Sequence, residues 1–188
     1  MDALEAIRTR RSYGRLDGPA PSGSDLDRIL EAGAAAPDHG TLRPFRFTLL
    51  RDDALDSFGR VLEAAYVRRC AAAGEEPVAV RAERERTKLR RAPLVIVVSA
   101  VQRVDVKIPW VDQRDAAVAS AQNILLAAHA LGFGAMWRTG DICADVTVME
   151  ALGLGIDDSI VGFLYVGTPS ERKAPRPVDL AGLVDEFS

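Results

Sequence analysis

Two separated motifs in this chain contain the residue types that bind an anionic cofactor with a flat ring. The first, Arg10-Arg11-Ser12, ends the first predicted helix, and the second is Met136-Trp137-Arg138-Thr139-Gly140. Guanidinium, hydroxyl and backbone N–H groups suit a phosphate, whereas a redox ring needs an apolar wall with hydrogen-bond donors at its border. Together the two motifs indicate one cofactor that carries both a phosphate and a ring.

Each motif also has an ordinary structural interpretation. Arg10 and Arg11 can simply stabilise the negative end of a helix dipole. Trp137 can be a core residue that is followed by a solvated turn cation, Arg138. Ser12 favours the phosphate interpretation, because it adds a hydroxyl and a backbone donor beside the two cations.

The other polar residues have interpretations that require no function. His39 lies in a proline-bounded turn that starts at Pro37, and considered alone it is expected to be exposed. His129, on an apolar helix, is expected to be a hydrogen-bonded core residue. The mixed charges of residues 81–91 predict a solvated helix with internal ion pairs, and nucleic-acid binding by this helix is the weaker alternative.

The composition limits the classes of protein to consider. A chain of 188 residues suits one domain over residues 1–188. With 48% hydrophobic and 27% charged residues, and no apolar run of membrane length, we expect a soluble cytoplasmic protein without a membrane partner. The net charge of −3 argues against nucleic acid as a partner. With only two cysteines and two histidines, no metal site is expected.

The apolar patterns predict an α+β fold. Residues 94–98 and 160–166 are continuous apolar runs typical of central strands, and the helix over 112–131 is expected to be buried on most sides. The order of the elements lacks the regular alternation of a doubly wound fold. We further predict helices over 2–11, 24–36 and 143–152, two more within 53–91, strands over 45–49 and 135–137, and helix caps at Asp2 and Ser24.

With these motifs in view, the sequence resembles the FMN-dependent nitroreductases, and most closely their minimal, YdjA-type members. The resemblance extends across almost the whole chain, and it is specific because motifs that are weak individually occur in one order and spacing. The matching segments are residues 1–5 leading into Arg10-Arg11-Ser12, Ala36-Pro37-Asp38-His39, Gly132-Phe133-Gly134 with Trp137-Arg138, and residues 161–165 ending in Gly167-Thr168-Pro169.

The resemblance implies a central mixed or antiparallel sheet surrounded by helices, in an intertwined homodimer that binds FMN at the subunit interface. The helix over 112–131 is expected to form much of the dimer contact. Ala35 and Arg43 depart from the family pattern, so the contacts to the flavin pyrimidine edge stay open. The implied FMN-binding residues are Arg10, Arg11 and Ser12 at the phosphate and ribityl end, Trp137, Arg138 and Thr139 along the flavin, Pro37 and His39 from the partner subunit, and Arg176, with Lys173 as the alternative, from the C-terminal segment.

The activity implied by the resemblance is an NAD(P)H-dependent flavin oxidoreductase. NADH or NADPH would deliver hydride to flavin N5, and nearby cations and backbone donors would stabilise the resulting negative charge. A nitroaromatic, quinone or similar flat small molecule would then accept the electrons, so no side chain is assigned as a catalytic residue. A protein of another class, a non-redox flavin-binding carrier or sensor, could carry the same motifs.

Overall fold

Residues 1–187, which this computed structural model describes, form six α-helices and four β-strands around one sheet. The helices are α1 (Ala3–Thr9), α2 (Gly23–Ala34), α3 (Asp53–Ala73), α4 (Ala79–Thr87), α5 (Trp110–Ala130) and α6 (Val146–Ala151). The strands are β1 (Phe45–Arg51), β2 (Leu94–Ala100), β3 (Gly134–Arg138) and β4 (Ser159–Gly167).

The four strands form an antiparallel sheet in the order β1-β2-β4-β3, which confirms the predicted α+β class. The two central strands come from the continuous apolar runs: all seven residues of β2 are buried, and so are eight of the nine residues of β4. A strand that is covered on both faces needs apolar residues at every position, as these sequences have. The edge strands are β1 and β3.

A separate apolar core lies on each face of the sheet. On one face, α2 and α5 pack on Ile96, Val98 and Leu164. On the other face, α3 and α6 contribute Phe58, Leu62 and Val148, among others, around Phe163. Because successive strand residues alternate between the faces, neighbouring residues of β3 belong to different cores.

Most residues of the helix α5 are buried or half-buried within a single chain, and its exposed residues lie mainly in its first half. Its fully buried residues recur at helical spacing, and they include Ala117, Ala121 and Ile124. On the remaining surface Val118 and Leu126 are half-buried, and Val111 is exposed. The expected burial on most sides therefore holds for the second half of the helix, where Gln122 and Ala130 are the exposed residues of the range 120–130.

The predicted helix ends are mostly within two residues of those observed, and the caps are less accurate. Asp2 caps α1 as predicted, and its Oδ1 accepts from the backbone N–H of Glu5 at 3.0 Å. Ser24 was wrong as a cap, because α2 begins at Gly23 and the preceding Ser22 takes the cap position. Asp145, which the sequence analysis did not single out, caps α6. Among residues 1–187 no helix has both the length and the apolar character to span a bilayer.

Candidate functional site

The first motif lies beside the edge strand β3. After α1 ends at Thr9, the chain becomes extended, and Ser12 forms a parallel bridge with Ala135 of β3. The backbone N–H of Tyr13 donates to the carbonyl of Ala135 at 3.2 Å. Tyr13 and Leu16 are buried in the core, so they anchor the segment that carries Arg10 and Ser12. The segment is therefore held by the sheet and does not move freely as a surface loop does.

A cleft of about 960 Å³ separates this segment from the C-terminal segment, residues 170–176. The cleft has an excess of positive charge, because six cationic side chains and one carboxylate, that of Glu171, line it. Such a concentration of cations favours an anionic ligand. The cations are Arg10, Arg11, Arg15, Arg172, Lys173 and Arg176.

Direct contacts join the two walls of the cleft. Lys173 Nζ donates to the backbone carbonyl of Ser12 at 2.6 Å, and the same ammonium lies 5.1 Å from the centre of the Tyr13 ring. Arg11 Nε donates to the carbonyl of Ala174 at 3.0 Å. Arg176 lines the cleft and is exposed. Of the two C-terminal candidates, Lys173 thus has the closer contact with the Ser12 segment.

The arginines of the first motif retain free hydrogen-bonding capacity. Arg10 Nη1 lies 3.4 Å from Ser12 Oγ, which brings a guanidinium and a hydroxyl to the same point of the cleft. Arg11 Nη2 is buried and has no hydrogen-bond partner in residues 1–187. An unpaired buried donor typically costs ~1–3 kcal/mol, so a ligand acceptor here would remove an existing penalty.

The second motif divides between the two faces of the sheet. Trp137 packs on the α5 side, where its Nε1 donates to the carbonyl of Val161 at 3.2 Å. Arg138 points to the other side, where its guanidinium lies 5.7 Å from the centre of the Tyr165 ring. Arg138 Nε is buried and unpaired within residues 1–187, and Thr139 is exposed at the end of the strand.

Arg138 and Thr139 line a second cavity of about 540 Å³, apart from the first cleft. Tyr165 and residues of α4 complete the walls of this cavity. The strand β3 connects the first cleft with this second cavity. Ala135 of β3 pairs with Ser12 at the cleft, and Arg138 ends the strand at the cavity. At the usual rise per residue, Ala135 and Arg138 are roughly 10 Å apart. One elongated ligand along β3 could therefore contact both motifs.

Pro37 and His39 lie at the opposite edge of the sheet from these motifs. Both are exposed, and they precede β1, which is separated from β3 by two strands, roughly 14 Å. His39 Nδ1 lies 3.6 Å from Asp112 Oδ2 at the start of α5. Within one chain these residues do not meet Arg10 or Arg138, so only a partner chain could bring them to the cleft.

Two titratable groups near the site have shifted pKa values. Burial raises the pKa of Tyr165 to about 12, although the nearby Arg138 and Arg91 oppose the shift. Burial, followed by the positive charges of Arg172, Arg10 and Arg11, lowers the pKa of His129. Both groups are therefore neutral at pH 7.

His129 forms a hydrogen bond, as predicted, but it is not a fully buried core residue. Its Nε2 lies 2.8 Å from Thr9 Oγ1, and the ring is half-buried at the edge of the core and not enclosed by it. Its hydrogen bond joins α5 to the end of α1 just before Arg10.

Neither a metal site nor a nucleophilic cysteine is formed by the described residues. Across residues 1–187 no group of three or more His, Cys, Asp or Glu side chains could hold an ion. Burial raises the pKa of the Cys143 thiol to about 11, so the thiolate is scarce at neutral pH.

Sequence reasoning missed two parts of the site. Tyr13 was not singled out, although its place directly after Ser12 and before the apolar Leu16 was a signal that the segment is anchored. The cations of α4 were interpreted as a solvated surface, and no sequence pattern shows that this helix lies opposite Arg138.

The family comparison agrees with this architecture. Residues 7–168 match the model of the nitroreductase family. The chain is 40% identical over 180 residues to a protein of Escherichia coli K12 named "Putative NAD(P)H nitroreductase YdjA", covering 96% of this chain and 94% of the relative. It is 35% identical to a Haemophilus influenzae protein named "Putative NAD(P)H nitroreductase", covering 92% and 91% of the two chains.

Solved structures have the same fold. A Desulfovibrio desulfuricans protein described as a putative nitroreductase in complex with FMN superposes with a TM-score of 0.74 at 31% identity, covering 98% of this chain and 96% of that one. A nitroreductase-like protein of Bacillus cereus gives a TM-score of 0.80 at 20% identity, covering 100% and 96%.

Proposed function

Since the chain belongs to the nitroreductase family, an oxidoreductase family, we propose that it binds FMN and passes electrons from NADH or NADPH to flat acceptors such as nitroaromatics and quinones. The observation that carries the proposal is the cationic cleft, where Arg10 and Ser12 face Lys173 beside β3. The FMN named in the Desulfovibrio structure supports the same cofactor here.

The residues present fit FMN. The cleft offers a hydroxyl, backbone donors and several cations, as a phosphate monoester needs. The buried and unpaired N–H groups of Arg11 and Arg138 lie in the two motifs assigned to this cofactor, and an acceptor on the ligand would satisfy each of them. The two motifs are linked along β3, so one ligand with a phosphate end and a ring end could contact both.

We assign the phosphate and ribityl end to Arg10, Arg11 and Ser12, with Lys173 and Arg176 closing the cleft from the C-terminal segment. The contact between Lys173 and the Ser12 carbonyl supports this assignment, because it already joins the two walls.

The ring end belongs to the strand β3 and its turn. The Trp137 indole is hydrogen-bonded to the Val161 carbonyl, and this contact fixes the position of β3. Trp137 therefore acts on the ring indirectly, by holding the strand that carries the residues beside it. Arg138 and Thr139 place donors at the polar edge of the ring. Pro37 and His39 would contact the ring from the partner subunit, because they lie too far away in their own chain.

FMN, when bound, supplies the ring that accepts hydride from the nicotinamide and returns electrons to the acceptor. The chain holds that ring and stabilises negative charge near its polar edge, for which Arg138 provides a fixed cation in a partly buried site. No side chain has to act as a nucleophile, in agreement with the raised pKa of Cys143.

A homodimer is part of the proposal, and exposed apolar residues support it. On α1, Leu4 is 79% exposed and Ile7 is 56% exposed. The C-terminal segment exposes Leu183 and Phe187, among others, and packs few residues on its own chain. With the open face of α5, these surfaces provide apolar area that a second copy of the chain could bury.

Anaerobic mixing of the FMN-loaded protein with NADPH or NADH separates an enzyme from a non-redox carrier. We expect bleaching of the visible flavin absorption, with return of the colour when menadione or nitrofurazone is added. A protein that binds FMN and is bleached by neither nucleotide would be a carrier or sensor. Dithionite provides the control that the bound flavin can be reduced.

A further inference from the structure

The segment over residues 101–109, between β2 and α5, lies against the turn over residues 38–43, which carries His39. The strands explain this contact. Phe45 of β1 pairs with Ala100 of β2 in an antiparallel ladder, so the chain that enters β1 and the chain that leaves β2 meet at the same end of the sheet. The sheet thus brings together two loops that are far apart in sequence.

The turn 38–43 has a backbone conformation that its own residues do not favour. Thr41 and Arg43 have φ values of 55° and 46°, in the left-handed region that residues other than glycine rarely adopt. The Asp38 carboxylate holds part of the turn, because its two oxygens accept from the backbone N–H groups of Leu42 and Arg43 at 2.7 and 3.0 Å. Such strain persists only where the surrounding structure fixes the backbone, and it is concentrated at segments that contact a ligand.

Two side chains of the facing segment support the turn from outside. Arg103 Nε and Nη2 donate to the carbonyls of Leu42 and Arg43, at 3.4 and 3.2 Å. Ile108 packs so closely on the turn that a Cβ atom at Gly40 would lie 2.5 Å from Ile108 Cδ1. In the described part of the chain the Arg103 guanidinium has no carboxylate partner, so its role is not that of a surface ion pair.

Gln113, in the first half of α5, fixes the segment that carries these two side chains. Gln113 is 3% exposed, and its amide pairs with the backbone of Arg103 in both directions. Its Oε1 accepts from the Arg103 N–H at 2.8 Å, and its Nε2 donates to the Arg103 carbonyl at 3.2 Å. The same Nε2 donates to the carbonyl of Ile108 at 3.0 Å. One buried amide therefore holds both residues that support the turn.

His39 itself has few contacts that could fix its position. Its side chain is 69% exposed, and its Nδ1 lies 3.6 Å from Asp112 Oδ2, which is also largely exposed. An exposed ion pair of this kind contributes little to holding a side chain in place. The position of His39 therefore depends on the backbone of the turn.

We propose that Arg103 and Gln113 are positioning residues, which hold the turn 38–43 so that His39 can contact the FMN bound by the partner subunit. The inference rests on the proposed function, which assigns His39 to that cofactor. Neither Arg103 nor Gln113 has to touch the cofactor, because they act through the turn. Their contacts explain how a strained and exposed turn keeps one conformation.

Hydrogen exchange of the FMN-free protein tests the support of the turn directly. R103M removes the guanidinium and keeps a long side chain, and K107M, at an exposed cation of the same segment, is the matched control. We expect the peptide that contains residues 38–43 to exchange several-fold faster in R103M than in wild type or K107M, with β2 unchanged in all three. Equal exchange of this peptide in R103M and wild type would overturn the inference. The result needs no cofactor, so it is independent of the proposed function.

Q113M tests the order of the contacts. It replaces the amide by an apolar side chain of similar length, so it should accelerate exchange in both the segment 101–109 and the turn 38–43. R103M should accelerate the turn alone, because the backbone of residue 103 keeps its hydrogen bonds to Gln113. Faster exchange in Q113M that is confined to residues 101–109 would overturn the positioning role of Gln113.

A double-mutant cycle with His39 tests the route to the cofactor, with FMN affinity measured by fluorescence titration of the apoproteins. R103M should weaken FMN binding about threefold to tenfold, as the loss of a hydrogen bond does, and K107M should leave it unchanged. R103M/H39A should bind FMN no more weakly than H39A, because Arg103 acts through the residue already removed.

Additive losses in R103M/H39A would show that Arg103 affects FMN by another route, and they would overturn the inference. Equal FMN binding by H39A and wild type would contradict the assignment of His39 in the proposed function and, with it, this role of Arg103. The exchange measurement distinguishes that failure from a failure of the support itself.

Discussion

Ser12 pairs with Ala135 in a parallel bridge that joins the segment after α1 to the edge of the sheet. The bridge places the arginine-serine motif beside the strand that ends in Trp137 and Arg138, although more than 120 residues separate the two motifs in sequence. The phosphate end and the ring end of the proposed site therefore share one structural element, β3.

Arg10 is predicted to retain FMN through a charge-assisted contact with its phosphate. The variant R10A should weaken FMN binding by ~1.5–3 kcal/mol, about 10- to 150-fold, because hydrogen bonds to charged groups contribute in this range. Fluorescence titration of the apoprotein with FMN measures the change. R28A, on the surface of α2, serves as the control, since Arg28 forms an exposed pair with Asp25. Equal FMN affinity in R10A and wild type would remove Arg10 from the site.

The central strands were predictable because their signal is local. Residues 94–98 are apolar without interruption and rich in β-branched residues, which is typical of a strand covered on both faces, so the position of β2 followed from its sequence. The charged helix α4 gave no such signal. Whether Arg84 or Arg86 faces a cavity depends on what packs opposite the helix, and that is decided by contacts between distant parts of the chain.

The candidate site was predictable only as a set of residue types. The sequence indicated cations, a hydroxyl and an indole, but it did not indicate that Trp137 and Arg138 project to opposite faces of the sheet. Nor could it show that Pro37 and His39 lie at the far edge of the sheet, since that depends on the strand order.

Mixed dimers test whether each site uses two chains. The variants R10E and H39E should each lose FMN as homodimers, because each places a carboxylate at the ligand. Consider a dimer with R10E in one chain and H39E in the other. If each site takes Arg10 from one chain and His39 from its partner, two-fold symmetry puts both changes in one site and leaves the other site unchanged. Such a dimer should therefore recover about half of its FMN sites. Co-expression with two affinity tags isolates this species. Absence of any recovery would indicate that each site lies within one chain.

Gly162 is predicted to be required for the position of Trp137. A Cβ atom at residue 162 would lie 2.1 Å from Trp137 Nε1 and 3.0 Å from the Arg138 carbonyl, so the indole or the strand must shift. G162A should reduce the free energy of unfolding by ~1–3 kcal/mol, as overpacking in a core does. Urea unfolding followed by tryptophan fluorescence measures this change. G155A is the control, because its nearest contact, 3.6 Å from Asp158 Oδ2, is an ordinary one; similar losses in both variants would contradict the prediction.

His129 should make stability depend on pH below its usual pKa of about 6.5. Its pKa in the folded chain is lowered, mainly by burial and then by Arg172 and Arg10, so the unfolded chain binds the proton more readily. The contribution of the neutral ring is complete above pH 6.5 and is lost as the pH falls through the lowered pKa. We expect the melting temperature of the wild type to decrease between pH 7 and pH 5 more than that of H129Q. Parallel curves for the two proteins would show that His129 does not contribute.

The FMN content of the purified and FMN-reconstituted protein, measured together with its molar mass in solution, tests the central claim most directly. After gel filtration, flavin absorption and multi-angle light scattering on the same peak should give one FMN per chain and a mass of twice the 20.3 kDa of the single chain. A peak that carries no flavin after reconstitution, or a single chain that carries a full FMN, would contradict a cofactor site built by two subunits.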